Sequence, residues 1–148
     1  MGLPVVTEEH FVFFSSSDAS QVVNGSVVSP AAPVAGTAEV TLNFGPAASD
    51  KAPATARRKR VMLWSIDEKR ANGGSATNHQ PQVADAAGAA TTDWSVKYLG
   101  TATAPGTRID VFSIGKPMYT DTAGKLYYQP NGDAADTFNY TLCFKVLG

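Results

Sequence analysis

A chain of 148 residues is long enough to build one core and short for two, since single domains commonly take about 100 to 150 residues. With 12 Lys+Arg against 13 Asp+Glu the net charge is -1, so no overall field draws the chain to nucleic acid or an anionic membrane. One Cys excludes an intramolecular disulfide and a Cys-built zinc site, and two His leave little for a metal centre.

The N-terminus has no basic segment, and Glu8-Glu9 stand where an apolar run would be needed, so no secretory signal is expected. Gly2 lacks the Ser or Thr that myristoylation wants, because the sixth residue is Val6. Phe11-Val12-Phe13-Phe14 is a short strand that stops at Ser15-Ser16-Ser17, far from the length needed to cross a bilayer. Residues 1–20 read as an N-terminal arm holding this strand, and residues 21–148 as the β domain. Further strands are expected at 21–28, 38–44 and 60–66, with Pro30, Pro33, Pro46 and Pro53 breaking the connections. Residues 29–38 and 45–56 are Ala/Pro/Ser-rich, and 71–93 is a 23-residue Ala/Gly/Asn/Thr stretch that reads as a loop or arm. Loops beyond about 12 to 15 residues are usually functional or disordered. Residues 83–90 tolerate helix but carry no apolar stripe.

From Trp94 onward the chain reads as a meander of strands at 94–99, 107–114, 117–120 and 125–129, with a turn at Asp121-Thr122-Ala123-Gly124. The last strand is the most regular: Phe138, Tyr140, Leu142, Phe144 and Val146 alternate with Thr137, Asn139, Thr141, Cys143 and Lys145. Pro130-Asn131-Gly132-Asp133 supplies turn chemistry between it and residues 125–129, so an antiparallel pairing of the two is expected. The fold class is all-β, a single-domain antiparallel sandwich or partly closed barrel with extended arms.

Arg57-Arg58-Lys59-Arg60 is the one dense charge run. It reads as a solvated strand entrance or a contact to a partner subunit; phosphate binding is weaker because no aromatic interleaving accompanies it. His10 and His79 read as surface histidines, and Ser75 lacks the frame of a nucleophile elbow. Asp133 with Asp136, and Asp67-Glu68 at a strand end, read as turn formers; neither pair sits in a calcium loop. Cys143 reads as a buried small apolar residue. Gly115-Lys116 and Gly124-Lys125 lack the rest of a phosphate loop. Asn24-Gly25-Ser26 and Asn139-Tyr140-Thr141 match a glycosylation acceptor, which means little without export. Trp64, Trp94, Tyr98, Tyr119, Tyr127 and Tyr128 serve core and interface packing or form a stacking platform, and Tyr127 and Tyr128 must point to opposite faces. Phe11, Phe13, Tyr127 and Tyr128 join Arg57, Arg58, Lys59 and Arg60 as candidate subunit contacts.

A small, weakly charged, motif-free β chain with Ala/Thr/Gly/Pro-rich arms at 1–20 and 71–93 resembles the virion structural proteins of tailed bacteriophages. The resemblance is of overall style, and the class it is most like is the capsid decoration or cement proteins. It implies a chain without enzymatic activity or cofactor, on the capsid surface, whose partners are the major capsid protein and copies of itself. It implies no membrane, nucleic-acid or small-molecule partner. Deleting residues 71–93 is then expected to abolish capsid binding and spare the β domain. A head-tail connector, tail or shell subunit would share this composition. A carbohydrate-binding sandwich would place Trp64, Trp94 or Tyr127 on one exposed face, and an enzyme would need an acid-base or nucleophile arrangement that the sequence does not display.

Overall fold

The computed structural model describes residues 10–18, 21–23, 26–27, 32–45, 58–72, 77–78, 81–86, 96–97, 102–103, 108–112, 117–130 and 132–147. Fourteen strands run through them: β1 (His10–Ser15), β2 (Val22–Val23), β3 (Ser26–Val27), β4 (Val34–Ala35), β5 (Val40–Asn43), β6 (Arg60–Asn72), β7 (Thr77–Asn78), β8 (Gln82–Ala84), β9 (Val96–Lys97), β10 (Ala102–Thr103), β11 (Arg108–Phe112), β12 (Pro117–Tyr119), β13 (Lys125–Gln129) and β14 (Thr137–Val146). The first sheet has the order β1-β14-β6-β11, with β12 also on β6 and β4 on β14; the second has the order β3-β2-β5-β13-β8-β9. A separate pair joins β7 to β10. All pairings are antiparallel, and the two sheets stack without closing into a barrel.

The core lies between the sheets. Phe14, Val61, Leu63, Ile66, Tyr140, Leu142 and Phe144 from the first meet Val40, Leu42, Val83, Leu126 and Tyr128 from the second. Phe14, Phe44 and Phe144 pack edge to face with centroids 4.9 to 6.0 Å apart, the geometry that ring quadrupoles favour. Strands β13 and β14 form over the residues expected for them: burial alternates along β13 and along β14 as far as Leu142, while Cys143 is buried on the outer face beside Phe144 on the inner.

Their expected pairing does not form. β13 pairs with β5 and β8, and β14 with β1, β4 and β6, so the two lie in opposite sheets. The chain between them is held as a crossing rather than a hairpin. Gly132 donates its N–H to the Gly36 carbonyl at 3.0 Å, and Gly36 donates to the Asp136 carbonyl at 3.0 Å. A Cβ on Gly36 would stand 2.5 Å from the Asp133 carbonyl oxygen, so only glycine admits this approach. The meander expected after Trp94 fails for the same reason: among the described residues no strand from β9 to β13 pairs with the next in sequence.

Three expected boundaries are also corrected. Residues 21–28 form two short strands paired with each other, Val22 with Val27 and Val23 with Ser26. β6 continues past Ile66 through the charged run to Asn72. The expected 71–93 loop contains β8, whose Gln82, Val83 and Ala84 are buried against β13. Deleting residues 71–93 would therefore remove β8 from between β13 and β9 and expose the buried edge of β13, and the expectation that the β domain survives it is withdrawn. Residues 46–57, the rest of the expected Ala/Pro-rich connection, and residues 1–9 and 19–20 of the expected arm lie outside the described residues.

Candidate functional site

The outward face of the first sheet is the feature that the core does not account for. β6 creates it through an irregularity: Leu63 stands opposite Phe144 and Ser65 opposite Cys143, so Trp64 is an extra residue, a β-bulge. Before the bulge Val61 and Leu63 point into the core; after it Ile66, Glu68 and Arg70 do. Trp64 faces outward after the inward Leu63 and is 45% exposed, and the bulge sets Ser65 on the same outer face beside it.

On β1 the alternation places Val12 and Phe14 toward the core and Phe11 and Phe13 outward. Phe13 is 63% exposed, and Phe11 meets the Trp64 ring edge-on at a centroid distance of 5.6 Å. Phe11, Phe13, Trp64, Ser65 and Cys143 line a shallow depression on this face. Burial pushes the Cys143 thiol above its ordinary range, which keeps it protonated and unreactive at neutral pH. Further along the sheet, Met62 lies beside Pro117 and Arg60 beside Tyr119, which is 52% exposed. The opposite end of the face is polar: Ser15, Ser17, Asp67, Lys69, Asn139 and Thr141 line a second shallow groove. An apolar centre bordered by hydrogen-bonding groups is the anatomy of a protein-binding surface.

The basic run does not form one surface. Arg57 lies outside the described residues. Arg58 pairs with Asp85 at 3.5 Å in an exposed position, where an ion pair contributes about 0–1 kcal/mol. Lys59 turns inward, donating from Nζ to the Phe44 carbonyl at 2.6 Å and from its N–H to Thr120 Oγ1 at 2.9 Å. Arg60 is exposed at the start of β6.

Tyr127 and Tyr128 do point to opposite faces. Tyr128 is wholly buried, its hydroxyl donating to Glu68 Oε1, so its ring belongs to this chain's core and presents nothing to a partner. Desolvation, followed by the nearby Glu68 carboxylate, holds its pKa well above the ordinary phenol value. Tyr127 is half-buried and donates to Asp121 Oδ2 at 3.1 Å; desolvation first, then that bond and the Asp121 charge, push its pKa up to about 12.

The acids read as turn formers divide: Asp133 does form one, its carboxylate accepting from the Ala135 N–H and its carbonyl from the Asp136 N–H, each at 3.1 Å. Asp121 does build its turn, accepting from the Ala123 and Lys125 N–H groups at 2.9 and 2.8 Å, with Gly124 at a φ of 79° closing it. Asp136 and Glu68, by contrast, are buried between the sheets. Asp136 accepts from Arg70 Nη2 at 2.6 Å, and Glu68 lies mid-strand rather than at a strand end. The Tyr140 hydroxyl donates to Gln21 Oε1 in the same region, and desolvation raises its pKa well above the ordinary phenol value. Inside the core Asp136 is paired with Arg70, Glu68 with Tyr128 and Tyr140 with Gln21 Oε1, while Gln21 Nε2 is buried without a hydrogen-bond partner among the described residues. Among the described residues no three His, Cys, Asp or Glu side chains converge as a metal site requires. His79, Trp94, Tyr98 and Ser75 lie outside the described residues.

Sequence reasoning picked out Phe11 and Phe13 as candidate subunit contacts and offered Trp64 only as a core or stacking aromatic, exposed in the carbohydrate-binding alternative. No sequence signal marked it, because Val61-Met62-Leu63-Trp64 is a continuous apolar run without alternation.

No family model and no curated protein matches the chain. Among solved structures it is similar to a chain in the structure of infectious bursal disease virus, Gx strain, at 12% identity and a TM-score of 0.30, covering 100% of this chain and 36% of that one.

Proposed function

We propose that the chain is a non-enzymatic virion structural protein that sits on a capsid lattice and braces it, as a decoration or cement protein does. The observation that carries this reading is the outward aromatic face of Phe11, Phe13 and Trp64, apolar at its centre and polar at one end. Water contact with such a face is unfavourable by about 25 cal/mol for each Å² of apolar surface, so it gains by being covered. The composition supports the same reading, since the resemblance to phage virion proteins rests on weak charge and small-residue arms. Arg58 and Arg60 extend the contact surface along the margin, together with Tyr119. The major capsid protein and further copies of this chain are the partners.

A sugar platform on Trp64 is the less favoured reading. A bound sugar needs hydrogen bonds beside its stacking ring, and Phe11, Phe13 and Cys143 offer almost none, leaving Ser65. The Tyr127 hydroxyl is already engaged by Asp121.

The test is to purify particles from the chain's source by density gradient and measure whether the chain co-sediments at lattice stoichiometry. Stripping and re-adding it is expected to lower and then restore the particles' melting temperature, with Phe13→Lys failing to restore it. A chain absent from the particles would overturn the reading, and one present in only a few copies would move it to a connector or tail position.

A further inference from the structure

β1 terminates the first sheet, and among the described residues only its β14 side is paired. One bond shows which of its backbone groups face the open side: Ser16 donates its N–H to the Tyr140 carbonyl at 3.0 Å. In an antiparallel ladder inward and outward bonding alternate residue by residue. Ser16, Phe14 and Val12 therefore direct their backbone groups to β14, while Phe11, Phe13 and Ser15 direct theirs to the open edge. The Ser15 carbonyl is already taken, accepting from the Asp18 N–H at 2.9 Å. Among the described residues nothing pairs the N–H and C=O that Phe11 and Phe13 each direct to that edge.

Natural edge strands are blunted by charge, proline or bulges, and the run Phe11-Val12-Phe13-Phe14-Ser15 has neither charge nor proline, while its register with β14 is continuous. Its free groups are self-complementary. A second copy laid antiparallel, with a two-fold axis beside Val12, sets Phe11 opposite the partner's Phe13 and Phe13 opposite the partner's Phe11. All the free donors and acceptors of both residues are then paired. An axis beside Phe13 would instead set Phe11 against the partner's Ser15, whose carbonyl is occupied. In the Val12 register like faces meet like: phenyl rings pair across strands on the outer face, and Val12 meets the partner's Val12 on the inner. No charged side chain of 11–15 is brought against its copy.

We propose that the chain forms a two-fold dimer by β1–β1 strand addition, with Phe11 opposite the partner's Phe13. This specifies how copies of the chain meet, and it holds or fails on the purified protein without any capsid.

The experiment uses the full chain. Light scattering is expected to report a concentration-dependent dimer, and Phe13→Lys a monomer with an unchanged circular dichroism spectrum, since Phe13 touches solvent rather than core. Register is read by disulfide trapping in a Cys143→Ala background under oxidised glutathione. Residues directly opposite in a non-hydrogen-bonded pair have Cα atoms about 4.5 Å apart, within disulfide reach, so Val12→Cys should cross-link to its copy and Phe13→Cys should not. A monomer at every accessible concentration, a Phe13→Lys variant that stays dimeric, or cross-linking through Phe13→Cys instead of Val12→Cys would each overturn the proposal.

Discussion

The two faces of the first sheet invert the usual distribution of side chains. Its inner face buries Glu68 and Arg70 to 1% exposure each, while its outer face leaves Phe13 and Trp64 in solvent. The same strand, β6, supplies both the exposed indole, at a bulge, and the buried ions beyond it. Polarity alone therefore does not assign a face here. The inner ions are tolerated because each finds a partner: Arg70 meets Asp136 at 2.6 Å, and Glu68 accepts the Tyr128 hydroxyl. The outer rings have rings and solvent for neighbours, and that asymmetry is the basis on which the face is proposed as a contact surface.

Breaking the inner face should cost most. Phe144→Asp places an unpaired charge at the centre of the Phe14–Phe44–Phe144 cluster, and no cooperative folding transition is expected in urea. Asp136→Ala leaves Arg70 buried without its carboxylate, and a loss of about 3–5 kcal/mol in unfolding free energy is expected. A value near that of an exposed pair would mean water reaches the site. Tyr128→Phe removes one donor from Glu68, and about 1–3 kcal/mol should be lost in chemical denaturation.

Alkaline titration sharpens the contrast further. A phenol whose folded pKa is raised adds stability that is complete below the unfolded value near 10 and is lost as pH rises through the folded one. Followed by phenolate absorbance, Tyr127 should ionise near pH 12 and Tyr128 only on unfolding. Ionisation of every tyrosine near pH 10 would show that the core admits water. The outer face should respond least: Phe13→Ser is expected to change unfolding free energy by no more than about 0.5 kcal/mol while weakening self-association. A large loss of stability would mean that the ring is part of the fold after all.

Legibility in the sequence followed the regularity of the pattern. β14 was readable to the residue because its sustained alternation leaves one register that buries its large side chains, and β13 because an apolar, aromatic run is bounded by turn residues on both sides. β8 was not, because Gln82-Val83-Ala84 is too short to show a period and becomes a strand only when β13 offers it an edge. The far half of β6 was hidden by its charges, which look like a strand end until Asp136 and Tyr128 are brought to them from 66 and 60 residues away. Of the candidate contacts, Phe11 and Phe13 stood out as an apolar run with no room for a helix, whereas Tyr128 could not be told from Tyr127 by composition.

Local chemistry by itself determined the all-β class, the turn at Asp121 to Gly124, the strong C-terminal strand and the apolar character of residues 11–14, because each rests on neighbours in the chain. Tertiary structure alone decided which strands pair, that β13 and β14 face each other across the core, and that Trp64 points outward. Those outcomes depend on contacts between distant residues, the Gly36 crossing and the Arg70–Asp136 pair among them, and no periodicity records them.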